Sequence, residues 1–587
     1  MIALVVVASL AAVHTNITEV RACYPLGGGE FLVGTGGGLV RVDERGQARA
    51  VWTAVDGLPG TRIDAIAKDG DQLWIGTEAG AAAVTFDGDN LAITRIVETK
   101  PVRDVVTFGG ATYVATWEGG VKKAGKAMPF RGGNHPPNRS RVSSLAVADG
   151  ALWAGTSGGL YKLTNGTFEL VTIATGANEV TSLLGDGKTL WIATTAGLYT
   201  REGSTVRSYG GGDLRRVARV DGTIVVGGFG GELVRVERGR LVRTDLARGL
   251  AMPQAISERD GAACAGGLDG LYLRPRKDAA WISAKRPSGL PANDVSAIAA
   301  DGDRLWVGTF DHGVAVLERG AWRTLGSRNI DPRVNAVLVE KRANMASRIW
   351  VGTATGISLI DGDNVTQLTK RDGLPARGVL SLAQLRDGRI LAGTMNGAVI
   401  IGDGRPVPLG VKQNVEVKNV WAVAEDADGY LWLGTTTGVY RGRESDAAWT
   451  RYSVATGHLR DDWVMALAVK GSAVWVGTYK GGVTRFAYGA AGVSTTALGD
   501  GWINPGGLTW IGERLYASTM EGLRIGDGES AAWTTLGKLP GRDTTAVAAV
   551  GDRLWVSTRR GLWTRRADNR PGYPSGLPGS PGVMSRR

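Results

Sequence analysis

An all-β chain assembled from propeller blades is what this sequence predicts, on three observations. One short pattern recurs, the recurrences are evenly spaced, and each repeat holds four strand-length segments. The pattern is an apolar or aromatic pair, a small residue, Thr, a tight turn, then Gly and an apolar run, as in FLVGTGGGL, LWIGTEAGA and LWVGTFDHGV. With the Thr, or the Gly that replaces it, as marker, the fourteen copies fall at Thr35, Thr77, Thr116, Thr156, Thr194, Gly228, Gly267, Thr309, Thr353, Thr394, Thr435, Thr478, Thr519 and Thr558. Their mean spacing is about 40 residues, the period of propeller blades.

The repeat that starts at Val295 shows the elements in order. VSAIAA reads as the innermost strand A, DGDR as a hairpin turn and RLWVGT as strand B. FDHG closes the next hairpin, VAVLERG is strand C and AWRTL is strand D. β-Branched and aromatic residues fill the strands, and Asp-Gly and Gly-rich dipeptides mark the turns. Four such strands use up the repeat and leave no room for helices. A Trp recurs in strand B at Trp74, Trp153, Trp191, Trp306, Trp350, Trp432, Trp475 and Trp555. A large ring at one fixed place in blade after blade is expected to pack between neighbouring sheets.

Fourteen blades exceed one ring, since propellers close with roughly four to eight. Two tandem seven-bladed β-propellers of four-stranded antiparallel blades are therefore expected. The predicted spans are 13–286 for blades 1–7 and 287–566 for blades 8–14. KRPSGLP (285–291) marks the boundary, although related DGLP loops at 56–59 and 372–375 lie inside the rings and leave a six-plus-eight division open.

Composition agrees. Gly accounts for 89 of 587 residues, which suits a fold made largely of turns, and 43% of residues are hydrophobic, enough for a large core. The formal net charge is +12, but basic and acidic residues are divided almost evenly between the two halves. Nucleic-acid binding calls for a focused basic patch with stacking aromatics, so a diffuse excess of Arg argues against that class. An anionic polysaccharide suits it better.

The chain begins MIALVVVASLAAVHTN. An apolar stretch from Ile2 to Leu10, followed by small residues, resembles a secretory signal peptide, with a cut expected after Ala11 or Ala12. The charged n-region is missing, and the other reading is a β-strand that completes a blade, because the fourteenth repeat lacks a strand D after LWTRR. No segment has the ~18 apolar residues of a membrane span. Residues 567–587, rich in Pro, Gly and Arg, read as a flexible tail. Cys23 and Cys264 fall in blades that become neighbours when the first ring closes, where a disulfide would suit an exported protein. Their strands are not adjacent in one sheet, and two buried free thiols are the expectation.

Several apparent catalytic motifs are turn chemistry. Gly155-Thr156-Ser157-Gly158-Gly159 fits G-x-S-x-G, but a strand follows where a nucleophile elbow needs a helix. Asp426-Ala427-Asp428-Gly429 opens like a calcium loop but lacks the remaining ligands. His14, His135, His312 and His458 are scattered without metal-ligand spacing. No catalytic residue, metal site or cofactor is assigned.

Propellers bind ligands at the mouth of the central channel, on the face built by D–A and B–C loops. Residues at the start of strand A point there. In the first ring these include Arg62, Asp64, Arg103, Asp104, Arg141, Glu179, Arg215 and Arg216. In the second they include Asp294, Arg333, Arg377, Asn419, Asp461, Asp462, Trp463 and Asp543. Two carboxylates beside an aromatic, Asp461, Asp462 and Trp463, could hold a sugar, although Asp is also ordinary turn chemistry there. The insertion 124–140, long and without strand pattern, is a second candidate.

DGLPGTRIDAIAKDGDQLWIGTEAG (56–80) and SGLPANDVSAIAADGDRLWVGTFDHGV (288–314) resemble the two-component regulator propeller repeat. That resemblance implies the extracytoplasmic sensor part of bacterial signalling proteins, built from two seven-bladed propellers and recognising glycans. The membrane helix and the kinase or cyclase of such sensors do not follow here. A non-catalytic binding or sensor protein in the periplasm or outside the cell is expected, with a glycan or protein ligand and a separate signalling partner such as a membrane sensor kinase. A glycoside hydrolase or lyase on a tandem propeller is the alternative. It would need two carboxylates facing each other across ~5–9.5 Å.

Overall fold

The structure is a computed structural model. It describes residues 11–566 apart from 70–71, 99, 133–140, 174–178, 232, 245, 248, 251, 269, 285–288, 326–329, 403–404, 410–416 and 490–491. The described chain is β-structure interrupted by turns, with short 3-10 turns at Ala54–Asp56 and Lys370–Asp372. Fourteen sheets are present among these residues, one for each repeat. The blade beginning at Val295 has the expected order: Val295–Asp301, Arg304–Thr309, Val314–Glu318 and Ala321–Leu325, each antiparallel to the next.

Each recurring feature of the repeat has a mechanical cause. The marker Thr is buried and locks the B–C turn from inside. Thr35 Oγ1 donates to the Gly38 carbonyl (2.8 Å) and accepts from the Gly37 N–H (3.1 Å), and Thr77, Thr156, Thr194, Thr353 and Thr394 repeat both bonds. The residue before Thr is small because the next blade presses on it. A Cβ at Gly34 would lie 2.7 Å from Ile63, one at Gly155 2.5 Å from Val180, and one at Gly434 2.5 Å from Val464. In every case the intruder is the β-branched first residue of the next blade's strand A. The strand-B Trp residues then fill the gap between sheets, as expected: Trp306 packs with Val334, Ile349 and Val351 of the following blade, and Trp432 with Val464, Val474 and Val476.

The chain divides into two compact units, Asn16–Pro287 and Met1–Thr15 with Ser288–Arg587, here called ring 1 and ring 2. In ring 1 the first and last blades share one core, in which Val20, Phe31 and Val33 meet Ala255, Leu271 and Leu273. Cys23 and Cys264 lie in that core as a disulfide with Cα atoms 6.3 Å apart. The expectation of free thiols is therefore corrected. The two strands are not hydrogen-bonded neighbours, but they stack face to face across the blade interface, close enough for a bridge.

Ring 2 closes differently. Residues Ala11–His14 pair antiparallel with Gly561–Arg566 and supply strand D of the last blade. Residues 13–15 thus belong to the second ring, not the first. A cut after Ala11 or Ala12 would remove residues from this strand. The apolar stretch before it, residues 1–10, and the tail 567–587 lie outside the described residues. The closing core joins Leu290, Val295 and Leu305 to Ala548, Trp555 and Leu562.

The disulfide closes a 241-residue separation. Replacing both cysteines by Ala is expected to lower ring 1 stability by about 2–4 kcal/mol. Denaturant unfolding with and without reductant checks this, and reductant should leave the double variant and the ring 2 transition unchanged.

His14 packs against Trp555 and Trp322, with centroids 5.1 and 5.9 Å away. Burial, aided by Arg553, holds its imidazole below the ordinary value. The folded state keeps His14 neutral while the unfolded chain takes a proton below about pH 6.5, so its contribution is present above that pH and is lost as pH falls through it. Thermal melts between pH 7.5 and 5 should show the ring 2 transition falling on acidification. His14→Phe should flatten that dependence, and removal of residues 11–14 should lower the transition at every pH.

Candidate functional site

The register of strand A decides which side chains reach a channel mouth. In most blades the first and third residues of strand A pair with strand B and the second is skipped, as a β-bulge. The skipped residues of ring 1 are Arg21, Asp64, Arg103, Ser143, Thr181 and Arg215. Gln254, whose N–H donates to the Gly266 carbonyl, stands at this place in the last blade. All seven line one cavity of about 350 Å³. The residues just before strand A and just after the marker Thr add Arg141, Glu179, Trp117 and Phe229, and Arg216 joins from within its strand.

Five arginines therefore meet two acids in this cavity. Asp64 is the hub. Its side chain is 1% exposed and it pairs with Arg21, with Arg62 (2.9 Å) and with Arg103 (3.3 Å). Burial pushes the Asp64 carboxyl up, but the guanidiniums of Arg21, Arg62 and Arg103 outweigh it and hold the group below the carboxylate range. Trp117 takes the guanidiniums of both Arg103 and Arg141, each 4.8 Å from its centroid, and Phe229 takes Arg215 at 5.3 Å. Arg215 also pairs with Asp213. Among the described residues neither Arg141 nor Arg216 has a hydrogen-bonded carboxylate partner. Asp104 lies next to the cavity-lining Arg103 and accepts from the Ser144 hydroxyl (3.1 Å) and the Leu145 N–H (2.8 Å). Burial raises its carboxyl, with Arg216 acting against that shift.

Of the five arginines expected in ring 1, Arg103, Arg141, Arg215 and Arg216 line the cavity, and Arg62 reaches it only through its pair with Asp64. Arg21, Trp117 and Phe229 were not anticipated from the sequence. Arg21 carries the signal that finds it: it follows Val20 as Asp64 follows Ile63 and Arg103 follows Val102.

The residues expected in ring 2 are more dispersed. Asp461 accepts from the Trp463 N–H (3.3 Å) and the Lys480 N–H (2.7 Å), and Asp462 from the Val454 N–H (2.7 Å), so both serve turns. Trp463 is 37% exposed. Asp294 pairs with Arg559 (2.7 Å), which also approaches Asp543 at 3.7 Å. Arg333 is taken by Asp331, and Arg377 is exposed. The skipped strand-A residues here are Ser296, Asn335, Leu380, Met465 and Thr545, with Asn504 in a longer bulge and Trp421 at the equivalent place; none is charged. In the 124–140 insertion, Phe130–Arg131 adds a fifth strand to the next blade, and Phe130 stacks on Phe168 at 4.8 Å. The remainder, 133–140, lies outside the described residues. No group of three or more acidic, His or Cys side chains suited to a metal ion occurs among the described residues. No helix there is long and apolar enough to cross a membrane.

Residues 289–311 and 415–437 match the family model of the two component regulator propeller. No curated protein matches the sequence. Among solved structures, the chain is similar to PorZ, an essential bacterial surface component of the type-IX secretion system of Porphyromonas gingivalis. The identity is 13%, over 95% of this chain and 87% of that one, with a TM-score of 0.69. It is also similar to an ancestral GH74 enzyme (13%, 96% and 100%, TM-score 0.65) and to the GH74 enzyme of Niastella koreensis (14%, 95% and 99%, TM-score 0.61). At these identities the likeness is one of fold.

Removing the hub is expected to be costly. Asp64→Ala leaves three guanidiniums facing one another, and ring 1 should lose about 3 kcal/mol, the lower end for a broken buried pair because the arginines keep some contact with solvent. Equilibrium unfolding of ring 1 measures it.

Proposed function

We propose, from a chain in which two repeats match the two component regulator propeller, that the protein is a non-catalytic binding protein acting outside the cytoplasm. Its ligand is an anionic glycan, bearing carboxylate, sulfate or phosphate groups, held at the channel mouth of ring 1 and reported to a separate signalling partner. The observation that carries this reading is the cavity with five arginines against two acids, in which, among the described residues, neither Arg141 nor Arg216 hydrogen-bonds a carboxylate, Arg216 acting on the buried Asp104 through its charge alone. Guanidinium is the side chain best shaped to take a carboxylate or phosphate with two parallel bonds. Stacking on Trp117 and Phe229 fixes three of the arginines before a ligand arrives, which lowers the ordering cost of binding. The disulfide supports an oxidising compartment and hence export.

One observation favours an enzyme as a second reading. In ring 2 burial raises the Asp543 carboxyl, with Asn504 and Arg559 acting against the shift, and Asp294 shares Arg559 with it. Two carboxylates with different environments are the raw material of acid–base work on a glycosidic bond, and the fold is shared with GH74 enzymes. Hydrolysis of a glycan that Asp543→Asn abolishes would establish this reading in place of the first.

Polyuronate and sulfated-glycan oligosaccharides are the probes. Arg141→Ala and Arg216→Ala should each weaken binding by about 1.5–3 kcal/mol, the worth of a hydrogen bond to a charged group. Affinity of the wild type should fall as salt rises. Binding that is unchanged in the double variant, or insensitive to salt, would refute the ring 1 site.

A further inference from the structure

Ring 2 carries exposed aromatic side chains at its own mouth, and the reading of ring 1 leaves them unexplained. Trp463 and Trp502 stand just before strand A of successive blades, and Tyr479 opens the B–C turn between them, its N–H donating to the Trp463 carbonyl. The three rings form a row. Trp463 and Tyr479 lie 4.7 Å apart, Tyr479 and Trp502 5.7 Å with planes 23° from parallel, and Trp421 extends the row at 6.3 Å from Trp463. Trp463 is 37% and Trp502 46% exposed, whereas the strand-B Trp432 and Trp475 are 0% and 2% exposed. These rings are therefore not part of the packing between blades.

We infer that this row is a second ligand site, for an uncharged sugar ring laid against the Trp463–Tyr479–Trp502 row. Three features favour that chemistry. The rings offer apolar surface to the C–H face of a pyranose, while Trp463 Nε1–H, Trp502 Nε1–H and the Tyr479 hydroxyl have no hydrogen-bond partner among the described residues and can bond hydroxyl groups. The row is held in place before binding: Asp461 takes both the Trp463 N–H and the Lys480 N–H, tying the start of strand A to the B–C turn that carries Tyr479. The seven inward positions that give ring 1 three arginines and an aspartate hold no charge here, and of the charged side chains that flank the row Asp461 and Asp462 are taken up by backbone N–H groups while Lys480 is exposed. Arg460 beside the row is itself paired with Asp500 at 2.5 Å. Asp461 is a positioning residue; the three rings make the contact.

This site is independent of the one in ring 1, and the test separates them. Neutral hexose and N-acetylhexosamine oligosaccharides are titrated into the full chain and followed by tryptophan fluorescence and calorimetry. Binding should be insensitive to salt, weakened about tenfold or more by Trp463→Ala and again by Trp502→Ala, and unaffected by Arg141→Ala with Arg216→Ala. Trp463→Phe, which keeps a ring, should retain most of it, and an unchanged ring 2 unfolding transition shows that each variant is folded. Failure of every neutral oligosaccharide to bind, or binding that survives loss of both Trp463 and Trp502, would overturn the inference. So would loss of protein-partner capture, in place of sugar binding, in the same variants. Loss of anionic binding alone would count against the ring 1 reading and leave this one standing.

Discussion

The contact on which this architecture depends is between a small residue in strand B of one blade and a β-branched side chain at the start of strand A in the next. Val102 against Gly76, Val180 against Gly155 and Val464 against Gly434 leave no room for a Cβ. This contact sets the distance between sheets near the B–C turn, and the strand-B Trp, two residues earlier on the same strand, fills the same gap farther from the turn. Close packing of this kind tolerates little change in volume. A Gly-to-Ala change at such a place does not merely add a methyl group. It displaces a neighbouring backbone that also carries the channel-lining residue.

Repetition leaves one problem that no repeat can solve, the seam where the last blade meets the first. The two rings solve it by different means, and both lie close together near the start of the chain. Strand Ala11–His14 completes the last blade of ring 2, and nine residues later Cys23 binds the last blade of ring 1 to its first. A sheet strand seals a seam with backbone bonds and a packed His14. A disulfide acts mainly by restricting the unfolded chain. The chain leaves the second ring at residue 15 and returns to it at 288, so ring 1 is inserted between the two parts of ring 2.

The repeat, the strand order and the structural role of the tryptophans were legible because each is written many times and each has a local cause. The marker Thr is legible as a pattern, and the structure supplies its reason, a turn locked by one hydroxyl. The singular events were harder to read. The pairing of residues 11–14 with 561–566 was legible only as an alternative, from the missing strand D after LWTRR, because it depends on contacts more than 500 residues apart and the apolar stretch just before it resembles an export signal. The cysteines were judged by sheet neighbourhood, although face-to-face stacking between blades is the geometry that joins them. Of the candidate ligands, the ring 1 arginines were legible from their place at the start of strand A. The aromatic partners, Trp117 and Phe229, belong to B–C turns whose proximity depends on the ring.

The bulge in strand A links fold to function. It is needed mechanically, because the skipped residue is free to reach across the blade boundary. Thr181 and Asn335 use that freedom to donate to the first strand-A carbonyl of the next blade, at 2.6 and 2.8 Å, and Thr545 does so across the ring 2 seam at 2.8 Å. Where the latch is carried by some blades, the others can place different side chains at the bulge without loss of the ring. Ring 1 uses that latitude for Arg21, Asp64, Arg103 and Arg215; ring 2 uses it for Leu380, Trp421 and Met465. One scaffold with one register thus presents two mouths that differ at the bulge positions, largely charged in ring 1 and uncharged, partly aromatic, in ring 2. The difference arises at positions where the core makes few demands, which is where a repeat protein can diverge in what it binds while every blade still packs alike.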